Sequence, residues 1–195
     1  MRSHITLAVA TALAAGTSSA ATTWSLDRSH SNVTFTVTHL VISEVEGRFT
    51  DFDVKLTQPN PDNFVGASVT ADIKTASITT DNTDRDKHLR SNDFLNAEKY
   101  PSLTFKSTKF EKTGSDSYKI HGTLTIREVT KPVVLDARFT GSAKDPWGNT
   151  KAAFKATTTI NRFDYGVQWD KAIETGGLVV DKNVGITLLM QLKKD

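Results

Sequence analysis

The stretch Val33-Thr34-Phe35-Thr36-Val37-Thr38-His39 alternates apolar side chains with threonines and ends its apolar row in a histidine. Alternate residues of a strand point to opposite faces, so Val33, Phe35, Val37 and His39 share one face and the threonines the other. The same period of two recurs along the chain. Phe52, Val54 and Leu56 alternate with Asp53 and Lys55, and Val65, Ala67, Val69, Ala71 and Ile73 alternate with Ser68, Thr70 and Asp72. Leu103 and Phe105 open a further strand. Similar rows run from Tyr118 to Ile126, Val133 to Phe139, Ala152 to Ile160 and Val184 to Leu192. Turn clusters at 58–62 (QPNPD), 113–116 (TGSD) and 145–149 (DPWGN) punctuate them. Eight or nine strands with short turns, one face apolar and the other polar, predict an antiparallel sheet closed into a sandwich or a barrel.

Two segments break the alternation. Residues 83–96 (TDRDKHLRSNDFLN) are polar and free of Pro and Gly. They predict a helix capped by Asp81 or Thr83, with Leu89 inward and Phe94 and Leu95 packing at its end. Residues 165–177, with Trp169, Ile173, Gly176 and Gly177, predict a loop containing a helical turn. Either segment is placed to lie across one end of a barrel.

An eight-stranded barrel is just wide enough inside to be filled by side chains or to hold one small ligand. The inward rows carry Val33, Phe35, Val37, Phe49, Leu103, Phe105, Leu124, Ile126, Leu135, Phe154, Ile186 and Leu188. They also carry small residues: Ala67, Ala71, Gly122, Ala137, Ala152 and Ala156. Small inward residues leave room unless large neighbours fill it. An apolar tunnel lined by the twelve large side chains and a packed core both fit the pattern.

The chain opens with a short basic start (Arg2, His4), an apolar run from Ile5 to Gly16, and small residues at 18–20. This is the three-part pattern of a secretory signal peptide over residues 1–20, leaving 21–195 as one exported domain. A membrane anchor needs about 20 predominantly apolar residues, and this run is shorter and rich in Ser and Thr. No integral membrane segment is then expected after signal removal. The expected location is the bacterial periplasm.

Composition narrows the function classes. There is no cysteine among the 195 residues, which excludes thiol catalysis, Cys-ligated zinc and disulfide staples. A net charge of +2 with interspersed signs excludes a nucleic-acid stripe and a polybasic membrane patch. His30, His39, His88 and His121 lack a metal-ligand spacing, so no metal is expected. No Gly-x-Ser-x-Gly elbow and no phosphate-cradling glycine loop is present. Asp164, Asp170 and Glu174 fit surface or capping roles, and the expectation is a protein without enzymatic activity.

The polar candidates lie at the ends of the inward rows. His39 is a candidate for hydrogen-bonding a ligand head group at the barrel mouth, or a satisfied histidine at a strand end. Arg90, Lys131 and Arg162 are candidates for a polar head, or for salt bridges fixing a loop to the rim. Phe163 and Trp169 either gate a tunnel or plug the barrel end as core.

Asp27-Arg28-Ser29-His30-Ser31, then Phe35, Val37 and His39, then Gly47-Arg48-Phe49, together resemble the opening of the YceI-like family. So do Asp86 to Pro101 (DKHLRSNDFLNAEKYP), Gly122 to Ile126, Thr130 to Val133, Asn161 to Gly166 and Glu174 to Gly177. Glu128 stands where a Gly is more usual and Tyr165 where Phe is common. The resemblance implies an all-β, lipocalin-like, extended antiparallel eight-stranded β-barrel with one or two short helical segments. It implies a periplasmic carrier that holds a polyisoprenoid, or a similar long-chain amphiphile of the isoprenoid quinone type, inside the barrel. No cofactor beyond that lipid is implied, and a homodimer stays open. The alternative is a ligand-free interaction module docking on a membrane respiratory or redox protein. A lipid-modifying enzyme is a third reading, without a catalytic motif to support it.

Overall fold

The structure is a computed structural model that describes residues 20–171 and 178–195. The expected signal peptide, up to residue 19, lies outside the described residues, as do Ile173, Glu174, Thr175, Gly176 and Gly177.

Eleven strands form one continuous antiparallel sheet: β1 (Thr22–Leu26), β2 (Asn32–His39), β3 (Ser43–Phe49), β4 (Phe52–Gln58), β5 (Ser68–Lys74), β6 (Ile78–Thr79), β7 (Ser102–Lys112), β8 (Ser117–Ile126), β9 (Val129–Lys144), β10 (Thr150–Asn161) and β11 (Val180–Lys194). Six of them are halves of interrupted staves. β1 and β2 both pair with β11; β3 pairs with β2 while β4 pairs with β1; β5 pairs with β4 while β6 pairs with β3. The result is an eight-stranded antiparallel barrel, closed where β11 meets both β10 and the β1/β2 stave. Closure through β1, β4 and β5 removes the long free sheet edges that would otherwise invite aggregation, and leaves the two-residue β6 paired with β3.

The interruption between β1 and β2 is a one-turn 3₁₀ segment at Arg28–His30, pinned by a half-buried polar knot centred on Asp27. The Asp27 carboxylate accepts from Lys151 Nζ (2.7 Å), Ser29 Oγ (2.7 Å) and Gln191 Nε2 (3.2 Å), and lies 3.1 Å from His30 Nδ1. The kink is thereby tied to β10 and β11. The hydrogen bond from Lys151 leads in holding Asp27 far below the usual carboxylate range, with Ser29 adding to it and burial opposing it.

β3 escapes a reading by alternation. Val45, Gly47 and Phe49 lie on one face and Glu44, Glu46 and Arg48 on the other, but a glycine at the centre of the inward row hides the period. The threonines of β2 are also not open to water. Thr34, Thr36 and Thr38 are half-buried, and Thr34 Oγ1 donates to the Thr187 carbonyl (3.1 Å).

The expected helix is shorter than the polar segment. α1 spans Thr83–Arg90, and its N-cap is Asn82 rather than Asp81 or Thr83. The Asn82 side chain accepts from the Arg85 N–H at 3.0 Å, satisfying one of the orphan donors of the first turn. Ser91 ends the helix, and residues 91–100 continue as turns. A one-turn 3₁₀ segment stands at Arg162–Tyr165, closed by Gly166 in the left-handed region, while part of the segment 165–177 expected to hold a helical turn lies outside the described residues.

The staves alternate in direction, so connections gather at two ends. One end carries the β2–β3 turn, α1, the β8–β9 turn and the segment after β10. The other carries the loop 59–67, the turns at 113–116 and 145–149, and both ends of the barrel chain, Thr22 and Lys194.

Candidate functional site: an apolar cavity in the barrel

The inward rows do not close on each other. They leave a cavity of about 240 Å³ along the barrel interior. All twelve inward side chains singled out from the alternation line it, from Val33, Phe35 and Val37 on β2 round to Ile186 and Leu188 on β11. Between them, Phe49, Leu103, Phe105, Leu124, Ile126, Leu135 and Phe154 complete the wall. The volume exceeds the about 150 Å³ of an apolar cavity that admits benzene.

Small inward residues divide into two kinds. Ala71 and Ala156 line the open space. Gly47 and Gly122 do not: a Cβ on either would overlap the ring of Phe35 or Phe105 respectively. There the missing side chain admits an aromatic ring rather than a ligand. The sequence signal of smallness was the same for both kinds.

Different aromatic groups pack at the two ends of the barrel. At the helix end, Leu89, Phe94 and Leu95 reach down onto the cavity. Trp169 packs against Phe94 (5.3 Å) and edge-on to His88 (5.2 Å), while His88 Nε2 lies 3.0 Å from Asp93 Oδ2. α1 itself is anchored by Asp86, which is buried and accepts from Thr80 N (2.7 Å), Thr80 Oγ1 (2.6 Å) and Thr79 Oγ1 (2.9 Å). Burial would raise this carboxyl, but those hydrogen bonds and the charge of Arg90 bring it below its ordinary value. At the opposite end, Phe64 from the loop 59–67 packs against Phe154 (4.7 Å), Phe139 (5.2 Å) and Tyr118 (6.2 Å). It also lines a second cleft of about 260 Å³, with Trp24, Gln58, Phe139 and others, and its neighbour Phe154 lines the main cavity. Gln58 holds this loop by donating to Asn63 O (3.1 Å) while accepting from Trp24 Nε1 (3.0 Å). Phe64 was invisible in the sequence because a loop residue carries no period.

The polar candidates sort differently from the apolar ones. Arg162 is 6% exposed and lines the cavity with its guanidinium spent on backbone. It donates to Asp181 O (2.9 Å), Val180 O (2.8 Å), Val167 O (2.8 Å) and Trp169 O (2.8 Å). Burial lowers its pKa, opposed by the charges of Asp170 and Asp181. Neither a head-group ligand nor a rim salt bridge describes it: it clamps Val167 and Trp169 to Val180 and Asp181. Phe163 lies outside that clamp, its ring 4.6 Å from the Arg162 guanidinium. Arg90 donates to the Ile78 carbonyl (3.1 Å), tying α1 to β6. Lys131 is exposed on β9. His39 is half-buried at the last position of β2, opposite Val180 and Ser43. The other histidines among the described residues meet separate carboxylates: His30 with Asp27, His88 with Asp93, His121 with Glu111.

A barrel with this interrupted-stave topology and an apolar interior has close relatives. The YceI-like domain matches residues 24–192. The chain belongs to the YceI-like family. A UPF0312 protein of Azotobacter vinelandii is 43% identical over 143 residues, covering 72% of this chain and 73% of the relative. One from Vibrio cholerae is 40% identical over 139 residues, 71% and 73% of the two chains. Among solved structures, the Campylobacter jejuni YceI protein superposes with a TM-score of 0.69 at 33% identity, covering 81% of this chain and 90% of that one. A polyisoprenoid-binding domain from Saccharophagus degradans shares the fold, with a TM-score of 0.67 at 14% identity over 88% and 98% of the chains. In the YceI-like chain described here, no helix among the described residues is long and apolar enough to cross a membrane.

Proposed function

We propose that this YceI-like protein is a periplasmic carrier that sequesters one long-chain amphiphile, of the polyisoprenoid or isoprenoid-quinone type, in its barrel. The carrying observation is the wall of the cavity. Its lining residues are apolar apart from Thr34, Thr158, Arg162 and the phenol of Tyr165. Burial of a prenyl chain is worth about 25 cal/mol per Å² of apolar area removed from water. A narrow apolar tube with few polar groups suits that cargo. The polyisoprenoid-binding fold relative from Saccharophagus degradans supports the choice of cargo class.

The reading is of a binder, without catalysis and without a cofactor. Proton-transfer chemistry needs a group whose pKa lies near the working pH. Among the described residues that line the cavity, the titratable ones are Arg162 and Tyr165. Burial, followed by the charge of Asp164, pushes the Tyr165 phenol upward, away from neutrality.

Native mass spectrometry of the protein exported to a bacterial periplasm, followed by organic extraction, tests the proposal. A stoichiometric prenyl lipid is the expected result, and Phe35→Asp, which places a charge on the cavity wall, is expected to abolish its retention in a folded barrel. A clean apo mass with no uptake of added quinones or prenyl alcohols overturns it in favour of a ligand-free interaction module.

A further inference from the structure

The connection between β2 and β3 breaks the rules that the rest of the barrel obeys. It is a tight turn closed by the Ile42 N–H on the His39 carbonyl (3.2 Å). Both central residues have positive φ, Leu40 at 53° and Val41 at 66°. Two positive φ values in succession define the hairpin turn that favours Asn-Gly. Leu and Val are poor choices there, and a β-branched residue at positive φ is a steric outlier. Bulky side chains held at such angles mark places where function competes with local preference.

The side chains are also turned outward. Leu40 is 36% exposed, Val41 63% and Ile42 84%. Other exposed large apolar residues among the described ones, Val65, Val134, Trp147 and Leu189, stand singly and away from this turn. The three consecutive aliphatics form a knob at the helix end of the barrel. Directly beneath it, His39 pairs with Val180, and both Val180 and Val37 line the cavity.

We propose that Leu40-Val41-Ile42 is a membrane-docking tip, which enters the surface hydrocarbon of a phospholipid bilayer and sets this end of the barrel against the lipid. The dimensions of the knob choose a bilayer over a protein. A stable protein interface needs about 800 Å² from each partner. Below the tip the hairpin presents Thr38, Ser43, Glu44 and Glu46, which do not extend an apolar contact to that size. A bilayer asks for no complementary surface, since each aliphatic side chain gains by transfer alone. The local charges set the kind of lipid. Among the described residues next to the turn, Glu44, Glu46, Asp170 and Asp181 outnumber Lys171 and Lys182, so the attraction is apolar and gains nothing from anionic head groups.

The tip does not depend on what the cavity holds, and one experiment separates the two. The full mature protein, wild type and Leu40→Asn/Val41→Gly, is floated with phosphatidylcholine vesicles, with and without phosphatidylglycerol, at low and high salt. The double variant installs the residues this turn favours, so its Tm is expected to be unchanged or higher. Its vesicle partitioning is expected to fall about 10-fold or more, the equivalent of about 1.4 kcal/mol. Ile42→Ser, outside the strained pair, is expected to weaken it in the same direction. Uptake of a short prenyl alcohol without vesicles is expected to match wild type in the double variant. Wild type that does not float, a double variant that floats as wild type does, or binding that requires anionic lipid and vanishes in salt overturns the docking tip. Wild type that floats yet ignores prenyl alcohol overturns the carrier reading and leaves the tip standing.

Discussion

The ring of Phe105 on β7 occupies the space that a side chain at Gly122 on β8 would fill. A Cβ at Gly122 would overlap that ring and would also lie 2.6 Å from the backbone oxygen of Lys106. The ring can turn aside, but the ladder carbonyl cannot without breaking register.

Gly122→Ala is therefore expected to destabilise the barrel by about 1–3 kcal/mol, the usual range for overpacking. Urea unfolding measures it. Trimming the ring with Phe105→Leu in the same chain is expected to recover only part of the loss, because the contact with the Lys106 carbonyl remains. Complete recovery in this double-mutant cycle would assign the whole strain to the ring.

Phe64, at the barrel end opposite α1, lines the cleft beside Trp24 and packs against Phe154, which lines the main cavity. Phe64→Ala is expected to cost about 3–5 kcal/mol, as for other buried Phe truncations. It is also expected to shift uptake towards longer prenyl alcohols, since the two spaces then join. Competition between a short and a long alcohol, read by native mass spectrometry, checks this. An unchanged chain-length preference would mean that the ligand never reaches the Phe64 end.

Arg162 satisfies four backbone carbonyls from inside the barrel end. Arg162→Met leaves those acceptors without their donor and is expected to cost about 1–3 kcal/mol, the range for leaving a buried polar group unpaired. Arg162→Lys is expected to recover little, because an ammonium cannot reproduce the planar fork. Thermal unfolding gives the cost, and limited proteolysis next to Val167 and Trp169 reports whether these two residues are released.

Asp27 sets the acid limb of stability. Its pKa is lowered in the folded state, first by the hydrogen bond from Lys151. A depressed folded value means that the stabilisation is complete above the unfolded carboxyl pKa of about 3.9 and drains away as pH falls below it. Asp86 and Asp145 are shifted in the same direction and act in the same window. Asp27→Asn is expected to lower Tm at neutral pH and to flatten its fall below about pH 4. A wild-type acid limb retained in the variant would assign that limb to other carboxylates.

Alternation of side chains was enough to read most of the barrel. A strand sends every second residue inward, so the positions of Phe35, Leu124 and Ile186 on the cavity wall follow from local order alone. The cysteine-free composition likewise excluded a disulfide framework without any coordinates. What failed locally failed for local reasons. β3 was hidden by Gly47 at the centre of its inward row, and the cap of α1 fell to Asn82, one residue from each of the two candidates.

The tertiary structure alone decided whether the interior is full or open. Gly122 and Ala156 look alike in a sequence, yet one receives the Phe105 ring and the other borders empty space. It alone turned Arg162 from a candidate head-group ligand into a backbone clamp, because carbonyl directions are fixed only once β10 and β11 close the barrel. It alone placed Phe64 across the lower end and set Leu40 and Val41 at positive φ. Periodicity is a property of neighbours along the chain, whereas volume, ring overlap and carbonyl satisfaction belong to residues brought together from distant staves.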